Sequence, residues 1–283
     1  MTPDMPQESL AFFGTPQLAV EILDAMEKAG FSPAVVVTAG DARRGKSGVT
    51  PTPVALWAAK RGTSVMKPER LDDRFLEEFK KHTVALGVVV AYGKILPQTL
   101  LDMPRLGMWN VHYSLLPRWR GAAPVEAAIL AGDDETGVTI QRIVLELDAG
   151  PIAAVEKTAI REDETAPELR GRLNEMAKEL LIEELPRLLQ GTIALIEQDP
   201  RAATRCGKTE REDGELSLAD DPRKNYRKYR AYYGWPGVYF LTERGTRVKI
   251  ADASFEDGHF MVKRVIPEGK REMSYEDFLR SSH

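Results

Sequence analysis

The chain has a single cysteine, Cys206, among 283 residues. No internal disulfide and no cysteine-based metal cluster can form, which fits a reducing compartment. Histidine is almost as scarce, at His82, His112, His259 and His283. None of them has a second ligand at metal spacing, so no metal centre is expected. Residues 1–7 are polar, and no apolar run nears the ~20 residues a membrane span needs. A cytoplasmic chain, neither secreted nor membrane-bound, is therefore expected. Two common signatures are also missing. Gly14-Thr15-Pro16 lacks the three-glycine dinucleotide pattern and reads as a tight strand-to-helix turn. Ser114 lacks the Gly-x-Ser-x-Gly elbow of a hydrolase nucleophile. There is no internal repeat and no low-complexity tract.

Charge is unevenly spread. Residues 222–283 hold 13 Lys/Arg against 8 Asp/Glu, a net +5, which leaves −9 for residues 1–221. A basic C-terminal module on an acidic body suits a nucleic-acid partner or simply a solvated surface.

Segments at residues 9–13, 34–38, 64–66, 84–91 and 108–111 read as strands, with 84–91 the clearest buried one. Helical patterns at 17–29, 53–61 and 124–130 alternate with them. The expected fold is α/β, a doubly wound, mostly parallel sheet. Two further strands, 136–145 and 152–160, flank a turn, and a helix over 166–190 opens on Thr165 with Glu168 three residues on. Residues 1–197 would form this domain and 198–221 a polar linker. Residues 222–283 would form a small β-rich, OB-like domain with strand clusters at 238–241, 248–250 and 260–262.

The most informative stretch is Asn110 to Pro124. Asn110 and His112, two apart at a strand end, share a face and can act on one carbonyl. Asn110 can donate to a developing oxyanion. His112 can take a proton from an attacking amine or donate to the oxyanion. Asp148, on a later turn, can hold the ring and stabilise its charged form. A strand-end histidine alone is more often structural; Asn110 and Asp148 tip the reading toward catalysis.

At these residues the chain resembles the folate-dependent formyltransferases. The block Asn110-Val111-His112 with Ser114-Leu115-Leu116-Pro117 is common to that family. Arg118-Trp119-Arg120-Gly121-Ala122-Ala123-Pro124 and the tail from Pro267 to Ser274 are similar to its tRNA-modifying branch. The resemblance implies formyl transfer from 10-formyltetrahydrofolate to the methionyl amine of charged initiator tRNA, releasing tetrahydrofolate, without a metal and as a monomer. Asn110, His112 and Asp148 would be the catalytic trio. The folate would lie against Val90, Ala91, Tyr92, Gly93 and Ile95, Ser114, Leu115, Leu116 and Pro117, and Leu145 and Leu147. The tRNA would meet the basic loop Arg43, Arg44, Gly45 and Lys46, then Arg118 and Arg120, and Lys224, Arg227, Lys228 and Lys249 in the C-terminal module. On composition alone that loop is an ordinary solvated one.

The chain also departs from the family pattern. Tyr113 replaces a small residue beside His112, which would narrow the pocket. Glu146 replaces a glycine in the Asp148 loop. The C-terminal module is shortened between Phe255 and Phe260. Two rivals remain: a formyltransferase acting on a sugar-nucleotide amine or another small amine, and an inert RNA-binding protein on the same scaffold.

Overall fold

The computed structural model describes residues 8–43 and 48–281. At its centre are β1 (Leu10–Gly14), β2 (Val35–Val37), β3 (Ser64–Met66), β4 (Leu86–Val90), β5 (Met108–His112), β6 (Glu135–Arg142) and β7 (Ile152–Ala159). They form one sheet in the order β7-β6-β5-β4-β1-β2-β3. β1 to β5 pair in parallel and β6 runs antiparallel to β5, as the mostly parallel reading expects. β1, β2 and β4 are buried along their whole length, which is why they read as unbroken apolar runs. Strand order reverses between β1 and β4. Loops leaving their carboxyl ends border the crevice where such sheets hold ligands.

Gly14 closes β1. A Cβ there would lie 2.7 Å from the Phe12 ring, 2.9 Å from Ala19 Cβ and 3.0 Å from Val90 O. Its role is close packing of strand, helix and neighbouring strand, in keeping with the tight-turn reading. The helices at Gln17–Lys28, Pro53–Arg61 and Ala166–Gln190 fall where the pattern puts them. Thr165 donates from both N and Oγ1 to Glu168, the expected cap. A further helix, Asp73–Lys80, is capped by Asp72 and buries Phe75, Leu76 and Phe79. It carries three of its eight side chains into the core despite its many charges.

The chain forms two compact units. One holds the described residues up to Arg120 with Gly137–Lys157 and Gly171–Thr204. The other holds Gly121–Thr136, Thr158–Arg170 and the described residues from Arg205 on. In the second unit β8 (Tyr239–Leu241), β9 (Arg247–Glu256), β10 (His259–Pro267) and β11 (Met273–Ser274) form an antiparallel sheet in that order. β9 and β10 run on until Glu256 faces His259. Asp257 and Gly258, at φ +49° and +82°, turn the chain there. Positive φ at both positions is the geometry that an Asp-Gly hairpin turn favours. The shortened stretch is thus a two-residue turn between long strands.

Candidate active site

Alternation along β5 sends Asn110 and His112 to one face. Register with β6 sets Gln141 beside Asn110 and Thr139 beside His112. Asp148 follows β6 on a turn, in the left-handed region at φ +52°. From there its carboxylate reaches back over the β5 face. Oδ1 accepts from Asn110 Nδ2 at 3.3 Å and from Gln141 Nε2 at 2.8 Å. Oδ2 lies 3.7 Å from His112 Nδ1, with the two side chains only 9% and 6% exposed. His112 Nε2 is 3.0 Å from Trp119 O. A carbonyl only accepts, so Nε2 carries the proton and Nδ1 faces the carboxylate. At 3.7 Å that contact is too long for a hydrogen bond and becomes an ion pair only when the ring is protonated. The carboxylate steadies a positive ring without taking its proton.

The loop after β5 is braced from within. Ser114 is fully buried and its hydroxyl donates to Arg118 O at 2.6 Å. Thr139 Oγ1 donates to Ser114 O at 2.6 Å and accepts from Leu116 N at 3.3 Å. Trp119, at φ +59°, is held by its N–H on Thr204 Oγ1 at 2.8 Å. These bonds present Trp119 O to His112.

Several expected contacts look different in three dimensions. Arg120, read as a tRNA contact, is 4% exposed. Its guanidinium donates to Gln198 Oε1 at 3.1 and 2.9 Å and pairs with Glu146 at 3.3 Å, so it braces the site and does not face a tRNA. Glu146, where the family pattern has glycine, is the counter-ion of this buried arginine. Tyr113 does not narrow the pocket. It lies on the opposite side of the strand from His112, and its hydroxyl donates to Asn174 Oδ1 at 2.7 Å; Asn174 in turn donates to Glu21 at 2.6 Å.

Of the expected folate contacts, Val90, Tyr92, Ser114 and Leu116 are buried, while Leu115 and Pro117 are half-buried. The Tyr92 ring meets Phe13 edge-on at 5.4 Å inside the core, so the ring is core and not ligand surface. Ala91, Gly93, Ile95, Leu145 and Leu147 are exposed. Arg44, Gly45 and Lys46 lie outside the described residues; the Arg43 backbone pairs with Val49. In the second unit Lys224 and Lys249 are exposed. Arg227 donates to Ala131 O and Lys228 to Glu215 O. Gln141, Gln198 and the exposed Val144 join the site unannounced. For Gln141 alone a local signal existed, its place on an alternating strand paired with β5.

A family profile described as formyl transferase matches residues 8–185. The chain belongs to the formyl transferase family. Among curated relatives of this formyl transferase, a methionyl-tRNA formyltransferase of Thermus thermophilus is 42% identical over 265 residues, covering 92% of this chain and 85% of its own. That of Halorhodospira halophila is 38% identical over 295 residues, covering 95% of each. Among solved structures, an N-formyltransferase from Helicobacter canadensis, in complex with folinic acid and dTDP-3-aminofucose, superposes with a TM-score of 0.68. It is 15% identical and covers 94% of this chain and 98% of its own; that likeness is one of fold.

Two tyrosines check this placement. Tyr113→Phe strips Asn174 of its buried donor and should destabilise the formyl transferase by about 1–3 kcal/mol, with kcat unchanged. Tyr92→Phe should leave stability unchanged or raise it. The Tyr92 hydroxyl has no hydrogen-bond partner among the described residues, and burial alone pushes its pKa up to about 12. Urea melts of the two variants separate these outcomes.

Proposed function

We propose that this chain transfers a formyl group from 10-formyltetrahydrofolate to the amino group of methionyl initiator tRNA. The observation that carries the reading is the buried cluster in which Asn110 Nδ2 and the His112 ring meet the Asp148 carboxylate on one strand face. The identity of 42% to a methionyl-tRNA formyltransferase over 92% of the chain supports the acceptor.

In this reading the methionyl nitrogen attacks the formyl carbon. A C–N bond forms and the carbonyl electron pair moves to oxygen. Asn110 Nδ2 has a second hydrogen beyond the one given to Asp148, and donates it to that oxygen. The tetrahedral centre then collapses and the bond to folate N10 breaks. The amine loses one proton and N10 gains one, so His112 has only to relay it while Asp148 steadies the charged ring. No covalent enzyme intermediate is required, and the Ser114 hydroxyl is already committed to Arg118 O. Exposed Ile95, Val144, Leu145 and Leu147, at 80, 38, 60 and 52%, provide apolar surface for a flat ring on the loops that end β4 and β6. Ligand sites are lined mostly by apolar side chains with a few polar groups. Arg43, Arg44 and Lys46 would take acceptor-stem phosphates, with Arg118 and the lysines of the second unit adding backbone contacts.

The test is transfer of labelled formyl from 10-formyltetrahydrofolate to methionyl-tRNA, beside an amino sugar nucleotide. Product on the tRNA alone is expected; product on the sugar alone would discard the acceptor. Arg44→Ala should raise KM for tRNA several-fold and flatten its salt dependence, leaving KM for folate unchanged. An unaltered salt dependence would remove the loop from the tRNA site.

A further inference from the structure

We infer that Gln198 is a positioning residue for formyl transfer, holding the Asp148 turn at the distance from His112 that the reaction uses. The inference rests on the catalytic reading of Asp148. Gln198 lies 50 residues beyond Asp148, in a polar segment that reads as linker, yet its amide is spent inside the site. Nε2 donates to Gly150 O at 2.6 Å and to Asp148 O at 2.9 Å, with Gln141 Oε1 at 3.4 Å as a third, longer contact. Oε1 accepts from Arg120 Nε and Nη2 at 3.1 and 2.9 Å. The guanidinium has only donors, so the amide oxygen must face it and the NH2 must face the turn.

Those bonds close a ring around the imidazole. One side of His112 is held by Trp119 O. The next residue, Arg120, binds Gln198, which binds the Asp148 backbone, and the Asp148 carboxylate faces the other side of the ring. The turn needs such a clasp. Asp148 is a non-glycine residue at φ +52°, a conformation that persists only where the surroundings impose it. Glutamine suits the task as one planar group that donates to two carbonyls and accepts from a cation. Glutamate would keep the arginine but set a carboxylate against two carbonyl oxygens.

The experiment compares Gln198→Met, which keeps the side-chain length, and Gln198→Glu with wild type, alone and in an Asp148→Asn background. Steady-state and single-turnover transfer to methionyl-tRNA are read alongside melting temperature. Both single variants should lose about 10–100-fold in kcat, with KM for folate and tRNA within about twofold and the fold retained. In the Asp148→Asn background the same change should cost less than about threefold, because the residue acts through Asp148. Should Gln198→Met fold poorly, Gln198→Glu, which keeps the Arg120 contact, decides on the same criteria. If Asp148→Asn is crippled but both Gln198 variants turn over like wild type, the role of Gln198 is wrong and the site reading stands. Equal losses with and without the Asp148 carboxylate would overturn it too. If Asp148→Asn is as active as wild type, the site reading falls and takes this inference with it.

Discussion

His112→Ala should lower kcat for formyl transfer by about 10³-fold, within the 10²–10⁴ range of a positioned acid–base group, while methionyl-tRNA binding persists. The ring sits between Trp119 O and the Asp148 carboxylate, so alanine removes the proton relay and the ring's contact with the carboxylate. Asn110→Ala should cost 10²–10³-fold, about 3–4 kcal/mol, by removing the oxyanion donor. The double variant should lose less than the product of the two, because both act on one tetrahedral centre. Single-turnover transfer with filter binding of the tRNA checks all three. A His112→Ala enzyme within tenfold of wild type would end the proposed role. If transfer is absent in the wild type while tRNA still binds, the inert RNA-binding reading takes over.

Gly150→Ala should cost about 10²-fold in kcat, although alanine adds a single methyl group and removes no reacting group. A Cβ at position 150 would lie 1.8 Å from the Arg142 carbonyl oxygen. That neighbour is backbone, so no rotamer relieves the overlap and the turn itself must move. Arg142 N donates to Pro151 O at 2.9 Å, which ties the two chain segments together just where they would have to part. A shift of about 1 Å in a positioning carboxylate is enough for a loss of this size. KM for folate should rise as well, since Val144, Leu145 and Leu147 lie on the same turn and Val144 Cγ1 would be 3.4 Å from the new Cβ, while KM for tRNA should change little. Wild-type kcat in a folded Gly150→Ala enzyme would show that the reaction does not depend on the exact seat of Asp148.

Much of this molecule is legible along the chain. The apolar runs that became β1, β2 and β4 are buried on both faces, and a strand in that position can hardly be written otherwise. The pairing of Asn110 with His112 follows from the two-residue period of a strand. The same alternation puts Tyr113 on the far side, against the reading that it narrows the pocket, and its bond to Asn174 shows where the ring goes. The turn residues Asp257-Gly258 and the Thr165–Glu168 cap also follow from local preferences. Local periodicity is set by each residue's immediate neighbours, so it survives in a one-dimensional reading.

What the tertiary structure decided lies between distant segments. Asn110 and Asp148 are 38 residues apart, Arg120 and Gln198 are 78 apart, and no period connects them. Their meeting depends on the register between β5 and β6 and on how the following loops close over the sheet edge. Arginine is by default an exposed residue, so Arg120 reads as a surface contact until Gln198 and Glu146 are seen to satisfy its guanidinium. Tyr92 likewise passes for a ring at the ligand site until its burial against Phe13 is known. By itself the sequence determined the main strands, the helices around 17–28, 53–61, 124–131 and 166–190, and the shared face of the reacting pair. Distance, burial and the exchange of hydrogen bonds across loops were decided by packing, because these are properties of two chain segments at once.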